Sequence, residues 1–188
     1  MSTEFSIRTD DMPPEMGALL DQYPRDSWDA HPGFSDLTRH WLGAHQMFRR
    51  VANIVRTDCE AFLDHKRSPG DFVARLHHYG GGLIGSLHGH HGWEDAEYFP
   101  ELSTADPRFD RGLEILEKDH EELDRVLHSF TDTALDAIGR MQDDSAAARD
   151  GVGRLHGMAE LIEAFLQRHL SDEEDLAVPI ILHHRLRG

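Results

Sequence analysis

The chain has a single cysteine, Cys59, among its 188 residues. One cysteine cannot form an intrachain disulfide, and it argues against zinc-ribbon and iron–sulfur sites, because both need several cysteine ligands. Long apolar runs are also lacking, since no stretch reaches the roughly 18 apolar residues that a membrane span requires. The N-terminus shows no basic segment followed by an apolar run, so the sequence predicts a cytoplasmic protein.

Basic residues are scarce relative to acidic ones. Lys and Arg number 19 against 35 Asp and Glu, which gives a formal net charge of −16 at pH 7. A surface with this excess repels phosphate backbones and anionic lipid headgroups, so we expect neither nucleic acid nor a membrane surface as a partner. The composition does not specify an oligomeric state. The residue that is unusually common is histidine, with 15 copies.

The chain divides into an N-terminal extension, residues 1–33, and a helical region, residues 34–188. The extension has four prolines and no sustained hydrophobic period, and we interpret it as an extended or loosely packed arm. Four long helical patterns follow, separated by turn-like segments at 65–71, 103–107 and 139–145. Pro179 is expected to break the fourth helix, which leaves a short C-terminal capping helix.

Each of the four patterns places apolar residues at alternating steps of three and four, which is typical of helices that pack in a bundle. In the first helix this seam runs from Trp41 through Phe48 and Val55 to Phe62. No alternation typical of strands competes with it. Together with the short connections, the pattern predicts an all-α fold, an antiparallel up-down-up-down four-helix bundle. Glycines at 80–82 favour a kink in the second helix, because each costs about 1 kcal/mol relative to alanine.

Four histidines interrupt the apolar seams, one in each helix: His45, His90, His120 and His169. Counted from the centres of the connecting turns, the first three lie at nearly equal heights in an antiparallel bundle. The count for the fourth differs by three residues, or about 4.5 Å. A carboxylate follows three of these histidines at i+4 on the same helical face: Glu94, Asp124 and Glu173. Other histidines with this spacing, including His91, His128 and His156, stand one step outside the seam.

Burying this polar layer requires compensation. Unpartnered imidazoles and carboxylates would cost several kcal/mol per charged group, against a net stability of about 5–15 kcal/mol. A single core histidine is more often satisfied by a neighbouring group, and a salt-bridge network could satisfy the set. A pair of metal ions would take all the lone pairs at once, with Glu94 and Glu173 each able to bridge two ions. Mixed imidazole and carboxylate ligation suits iron or manganese better than zinc.

Three segments carry a resemblance to a known family: HHGWEDAEYFPEL (90–102), LEKDHEELDRVL (116–127) and FLQRHLSDEED (165–175). With His45 ahead of them, the chain resembles the hemerythrin-like, or HHE cation-binding, domain family over about residues 35–180. The resemblance implies two iron ions, oxo- or hydroxo-bridged, that bind dioxygen, peroxide or nitric oxide. It assigns His45 and His90 to one iron and His120 and His169 to the other, with Glu94 and Glu173 as bridges.

The chain departs from the oxygen-carrying members of that family in the third helix. Those carriers have a second histidine where this sequence has Asp124, and a carboxylate ligand there is expected to favour ferric iron and to oppose reversible oxygen carriage. His91 could supply the missing nitrogen or could be solvated. Glu174 could replace Glu173, because the carriers place this acid one residue later.

Three functions are consistent with this site. The first is a di-iron protein that binds or senses a small ligand or iron itself. The second is an enzyme that decomposes peroxide or another small oxidant at an open iron position. In the third the metal only stabilises the fold. Aromatic residues near the predicted ligands could form an apolar pocket for a diatomic ligand, although they could equally be ordinary core: Trp41, Phe48, Trp93 and Phe99.

Overall fold

Every regular element in the described part of the chain is helical. The computed structural model describes residues 5–141 and 145–186. Four long helices account for most of these residues, and we number them α1 (Asp36–Leu63), α2 (69–105), α3 (Asp110–Arg140) and α4 (Ser145–His184). Short 3₁₀ helices occur at Pro14–Gly17, Arg25–Ala30 and Pro107–Phe109. The long helices pack side by side, which confirms the predicted all-α four-helix bundle.

Local sequence sets where the first two helices begin and end. Ser35 caps α1, where its hydroxyl accepts a hydrogen bond of 3.2 Å from the backbone N–H three residues later. Ser68 caps α2 with the same contact, also of 3.2 Å. Pro69 then occupies the first helical position, where its missing N–H costs nothing. Between the helices His65 adopts φ 59°, a left-handed conformation that commonly ends a helix.

Helix α2 is continuous but contains two π-helical turns. Its α-helical segments are Pro69–Arg75, Gly81–Trp93 and Phe99–Ala105, and the π turns between them are Leu76–Gly80 and Glu94–Tyr98. The first π turn ends at the glycine run where the sequence predicted a kink. The second lies just before Pro100, whose ring would clash with the carbonyl four residues earlier in a regular α-helix. The wider π turn relieves this clash and starts at Glu94, a predicted metal ligand.

Two apolar cores lie on either side of a polar layer. One core contains Phe48, Leu123 and Leu166, and the other contains Leu116 and Leu176. Along α3, for example, His120 lies between Leu116 of one core and Leu123 of the other. The predicted seam therefore holds over the length of the bundle, and the polar residues interrupt it at one height.

The N-terminal arm is packed against the bundle, so the expectation of an extended or loosely packed segment was wrong. Its residues Met16, Leu19 and Trp28 join the second core, and each is at most 5% exposed. Gly112 of α3 allows this contact, because a β-carbon there would lie 2.8 Å from the Met16 sulfur. Patterns along the chain miss this packing because the apolar residues of the arm follow neither a helical nor a strand period.

Helix α4 runs through Pro179 to His184, so the predicted break and separate capping helix were also wrong. A proline inside a helix costs about 3 kcal/mol. Burial of the flanking apolar residues outweighs this cost, since each stabilises the fold by about 1.5–3 kcal/mol. They are Val178, Ile180, Ile181 and Leu182, all at most 1% exposed. Even so, no helix within residues 5–141 and 145–186 is both long enough and apolar enough to cross a membrane.

Candidate metal centre

The four seam histidines meet in two pairs across the polar layer. His45 of α1 and His90 of α2 place their Nε2 atoms 2.9 Å apart. His120 of α3 and His169 of α4 do the same at 3.1 Å. Two nitrogens at these separations point at a common space, which is the arrangement that equal heights in the bundle predicted.

His91 belongs to the same layer, on the side of the second pair. Its ring stacks on that of His120, with centroids 4.0 Å apart and planes 10° from parallel, and it is edge-on to His169 at 5.7 Å. Only 4% of the residue is exposed. Of the two alternatives left open by the sequence, solvation is therefore wrong. The seam predicted from steps of three and four covers only the centre of the buried face of a helix. The whole buried stripe is about 100° wide, so the adjacent residues His90 and His91 can both face inward.

Glu94 and Glu173 lie between the two groups of histidines. One oxygen of Glu94 is 2.9 Å from His90 Nε2, and the other is 3.9 Å from His120 Nε2. A Glu173 oxygen lies 3.6 Å from His45 Nε2 and 3.9 Å from His169 Nε2. Each carboxylate thus lies near nitrogens on both sides of the layer.

Three overlapping sets of ligand atoms follow from these positions. In each set the atoms lie within 4.8 Å of one another, close enough for one cation to contact all of them. The sets are His45, His90 and Glu94; then Glu94, His120 and Glu173; then His91, His120 and His169.

Several buried polar atoms of the layer have no hydrogen-bond partner among the described residues. They are both ring nitrogens of His91, one oxygen of Glu94 and both oxygens of Glu173. Burial lowers the pKa of His91 well below its usual value, which leaves a neutral imidazole with a free lone pair. Burial and the charge of Glu94 raise the pKa of Glu173 well above its usual value. A divalent cation would fit here, because it would take the lone pair of one His91 nitrogen together with the oxygens of Glu94 and Glu173 and would displace the proton of Glu173.

Residues 36–181 match the family described as the hemerythrin HHE cation binding domain. The chain belongs to this family. Apart from this match, the chain matches no curated protein and no solved structure. Membership in a cation-binding family and the buried clusters of histidine and glutamate together indicate a metal site, and they confirm the resemblance found in the sequence.

In this HHE domain, carboxylates outside the polar layer also support three of the histidines. They lie next to Nδ1, the ring nitrogen that faces away from the layer. Glu174 contacts His45 Nδ1 at 3.1 Å, and Asp95 contacts His120 Nδ1 at 2.8 Å. Asp119 lies 3.6 Å from His169 Nδ1. Such outer partners fix the ring orientation and the basicity of a metal-binding histidine.

One of these outer carboxylates is Glu174, which the sequence allowed as a metal ligand inside the layer in place of Glu173. The structure instead places Glu173 inside and Glu174 behind His45. Asp95 and Asp119 were not predicted as partners of the layer. Metal-binding histidines usually contact a carboxylate through their second ring nitrogen. This rule makes acidic residues close in sequence to the predicted ligands, such as Asp95 and Asp119, candidates for that contact.

The predicted role of Asp124 in the HHE site is contradicted by its position. The side chain is 50% exposed, and its carboxylate pairs with His88 Nδ1 at 3.0 Å on the surface. The buried positions at this level of α3 are taken by Leu123 and Leu127. A spacing of four residues keeps two side chains near each other, but it does not ensure that both face the core. The expected bias toward ferric iron therefore loses its structural basis.

Aromatic side chains surround the HHE site, and two of the four predicted pocket residues line a cavity. This cavity of about 250 Å³ is lined by His90, and Trp41 and Trp93 form part of its wall together with Tyr98. Trp41 also donates a hydrogen bond of 2.7 Å from its indole nitrogen to Glu94. Trp41 therefore both lines the cavity and orients a predicted metal ligand.

The other two predicted pocket residues pack directly on the histidines. The ring of Phe48 is 5.0 Å from that of His90, and the ring of Phe99 is 5.6 Å from that of His120. Neither lines the cavity. Tyr98, which does line it, was not predicted.

Proposed function

We propose that this HHE domain binds two iron ions, which in turn bind or sense a small ligand such as dioxygen, peroxide or nitric oxide. His45 and His90 would hold one ion and His91, His120 and His169 the other, with Glu94 and Glu173 shared by both. Imidazole and carboxylate donors together suit iron, with manganese and zinc as weaker candidates. Iron bound here would supply an open coordination position and a change of oxidation state.

The observation that carries this proposal is the set of buried atoms without partners. Both nitrogens of His91 and three of the four oxygens of Glu94 and Glu173 are buried, and in the described part of the chain they accept no hydrogen bond. Leaving one such group unsatisfied costs about 1–3 kcal/mol, and more if the group is charged. A network of hydrogen-bonded salt bridges, the alternative for the layer, would bring these oxygens closer to the histidines, whereas Glu173 Oε2 lies 3.6 Å from His45 Nε2 and 3.9 Å from His169 Nε2. Two cations would account for the three oxygens and for the one nitrogen of His91 that carries a lone pair, while its other nitrogen keeps its proton.

The position of the cavity supports a small ligand. His90, which would hold the ion with fewer nitrogen donors, lines the cavity, so a small ligand in the cavity would lie beside that half of the layer. Its volume of about 250 Å³ is ample for a diatomic molecule or a peroxide. Beside the cavity, the indole N–H of Trp41 donates a hydrogen bond to Glu94 and so holds that carboxylate in place.

Decomposition of peroxide is the second candidate, because the same cavity would admit this substrate to the ion at His90. One experiment separates the two functions. The iron-loaded chain is mixed with hydrogen peroxide or nitric oxide while its visible spectrum and the release of dioxygen are recorded. Spectral changes without turnover support binding or sensing, whereas continuous release of dioxygen supports the enzyme. No spectral change with either ligand contradicts both.

A further inference from the structure

Two arginines of the N-terminal arm reach the carboxylates that support the metal-binding histidines. On the α1 side, Arg25 Nη1 donates a hydrogen bond of 2.7 Å to Glu174 Oε2. The other oxygen of Glu174 contacts His45 Nδ1 at 3.1 Å. One chain of contacts therefore runs from the arm through Glu174 to a nitrogen opposite the polar layer.

The same arrangement occurs on the opposite side of the layer. Arg8 donates to Asp119 Oδ2 from Nη2 at 2.9 Å and from Nε at 3.3 Å. That oxygen lies 3.6 Å from His169 Nδ1. Arg8 also pairs with Asp172, so it joins α3 to α4 directly beside the histidine.

Glu174 and Asp119 each have an arginine from the bundle as well. Arg49 donates to Glu174 at 2.7 Å, and Arg168 donates to Asp119 at 3.2 Å. Burial would raise the pKa of Asp119, but the neighbouring His169 imidazole and the hydrogen bonds from Arg8 bring it to about 2. The pKa of Glu174 is likewise about 2, because hydrogen bonds from His45 and the two arginines outweigh burial. Both groups are held by one arginine from the bundle and one from the arm.

We infer that the N-terminal arm is a positioning element of the metal centre, in which Arg25 fixes the half-site of His45 and Arg8 fixes the half-site of His169. This inference rests on the proposed metal centre. Glu174 is held at both oxygens, by Arg25 at Oε2 and by Arg49 at Oε1, whereas Asp119 is held at Oδ2 by Arg8 and Arg168 together. In both cases two arginines restrict the carboxylate, so the histidine beside it keeps the orientation in which Nε2 points into the layer. Losing the arm's arginine leaves one arginine on each carboxylate and lets the ring move.

Other ion pairs between the arm and the bundle provide matched controls. Asp29, in the same 3₁₀ helix as Arg25, pairs with Arg39 of α1 on the surface, and Glu15 pairs with Arg111 of α3. Neither pair touches a carboxylate of the metal centre. Arg39→Gln and Arg111→Gln therefore loosen the docking of the arm without altering the support of His45 or His169.

The test measures the affinity of the metal-free, full-length chain for Co²⁺, by competition with a chelator, in Arg25→Gln, Arg8→Gln and the two control variants. Loss of an outer partner typically costs 10–100-fold in metal affinity, and we expect about 5–20-fold for each arm variant because the carboxylate itself remains. The controls should stay within about twofold of the wild type. Arg25→Lys keeps the charge, and we expect it to recover part of the lost affinity.

A second readout distinguishes positioning from a general effect on folding. In the Co²⁺-loaded chain, the exchange of the histidine Nδ1 protons with solvent is followed by NMR. Arg25→Gln should accelerate exchange at His45 and leave His169 unchanged, and Arg8→Gln should do the reverse. Affinities equal to the wild type, or losses as large in the controls, overturn the inference but leave the metal site in place. A wild-type chain that binds no Co²⁺ overturns both.

Discussion

The imidazole of His91 lies flat on that of His120, with ring centroids 4.0 Å apart and planes 10° from parallel. His90, one residue earlier on α2, faces α1 instead and places its Nε2 2.9 Å from that of His45. Successive side chains of a helix point about 100° apart, so two adjacent residues can contact different neighbouring helices. Helix α2 therefore supplies one imidazole to each half of the polar layer.

Replacing His91 with alanine should reduce the iron content of the chain by about half or more, as should His90→Ala, because each removes a nitrogen donor from one half-site. The measurement is iron per chain after loading and desalting. His128→Ala is the control, since His128 is exposed and its Nδ1 contacts the backbone oxygen of Asp124. Full retention of iron in His91→Ala would remove this residue from the proposed ligand set.

The sequence was sufficient to predict the bundle and the convergence of its seam histidines. The helical period predicts which face of the helix a seam residue occupies, and its distance from a turn predicts its height in the bundle. For His45, His90 and His120 both predictions place the side chain in the same buried layer. The position of His91 could not be obtained in this way. The alternation of three- and four-residue steps describes only the centre of the buried stripe, and His91 lies at the margin of that stripe.

Other features depend on contacts between residues far apart in the chain. The arm's packing, the continuity of α4 through Pro179 and the partners of Glu174 are determined by tertiary contacts that no local pattern records. Asp124 shows the converse. Its spacing from His120 is correct for a shared helical face, yet the polar layer is only about one turn thick and the next seam positions of α3 are Leu123 and Leu127.

Asp124→His should leave the iron content and the rate of autoxidation of the loaded chain unchanged, because the Asp124 carboxylate is half-exposed and pairs with His88 away from the layer. The stability of the fold should also change by less than about 0.5 kcal/mol, as is usual for surface substitutions. Visible spectra recorded in air measure the autoxidation, and urea melts measure the stability. A longer-lived oxygenated form in this variant would contradict the surface placement.

The adjacent glutamates Glu173 and Glu174 should respond oppositely to replacement by glutamine in the metal-free chain. Burial and Glu94 raise the pKa of Glu173 above its unfolded value of 4.5, so its ionisation in the unfolded state opposes folding increasingly as pH rises above about 4.5. Glu173→Gln removes this effect. The variant should therefore be more stable than the wild type at pH 7, with a smaller difference at pH 4, although it should bind less iron.

Glu174→Gln should instead be destabilising at pH 7. Its pKa is lowered from 4.5 to about 2, so its contribution is present above pH 4.5 and is lost as pH falls toward 2. Since one pKa unit corresponds to about 1.36 kcal/mol, the loss at pH 7 is up to about 3 kcal/mol. Urea melts of both metal-free variants at pH 4 and pH 7 measure these changes. Effects of the same sign at pH 7 would contradict the placement of one glutamate inside the layer and the other behind His45.

Filling the cavity at His90 should slow the access of small ligands without removing iron. Ala44 lines this cavity, and Ala44→Leu would occupy part of its volume of about 250 Å³. We expect the rate of nitric oxide binding to fall by about tenfold, which corresponds to about 1.4 kcal/mol in the barrier, while the iron content stays the same. Gly43→Ala, one residue away and outside the cavity wall, is the control. Equal rates in Ala44→Leu and the wild type would show that ligands use another path.

The proposed pair of carboxylate-bridged iron ions is tested most directly by measuring how many iron ions the polar layer holds. The stripped chain is titrated with Fe²⁺ without oxygen, and bound iron per chain is measured at saturation in the wild type and in Glu94→Gln/Glu173→Gln. We expect two irons per chain in the wild type and fewer than one in the double variant, because both carboxylates are shared between the ions. Saturation of the wild type at one iron or none, or two irons retained in the double variant, would contradict a carboxylate-bridged pair in this layer.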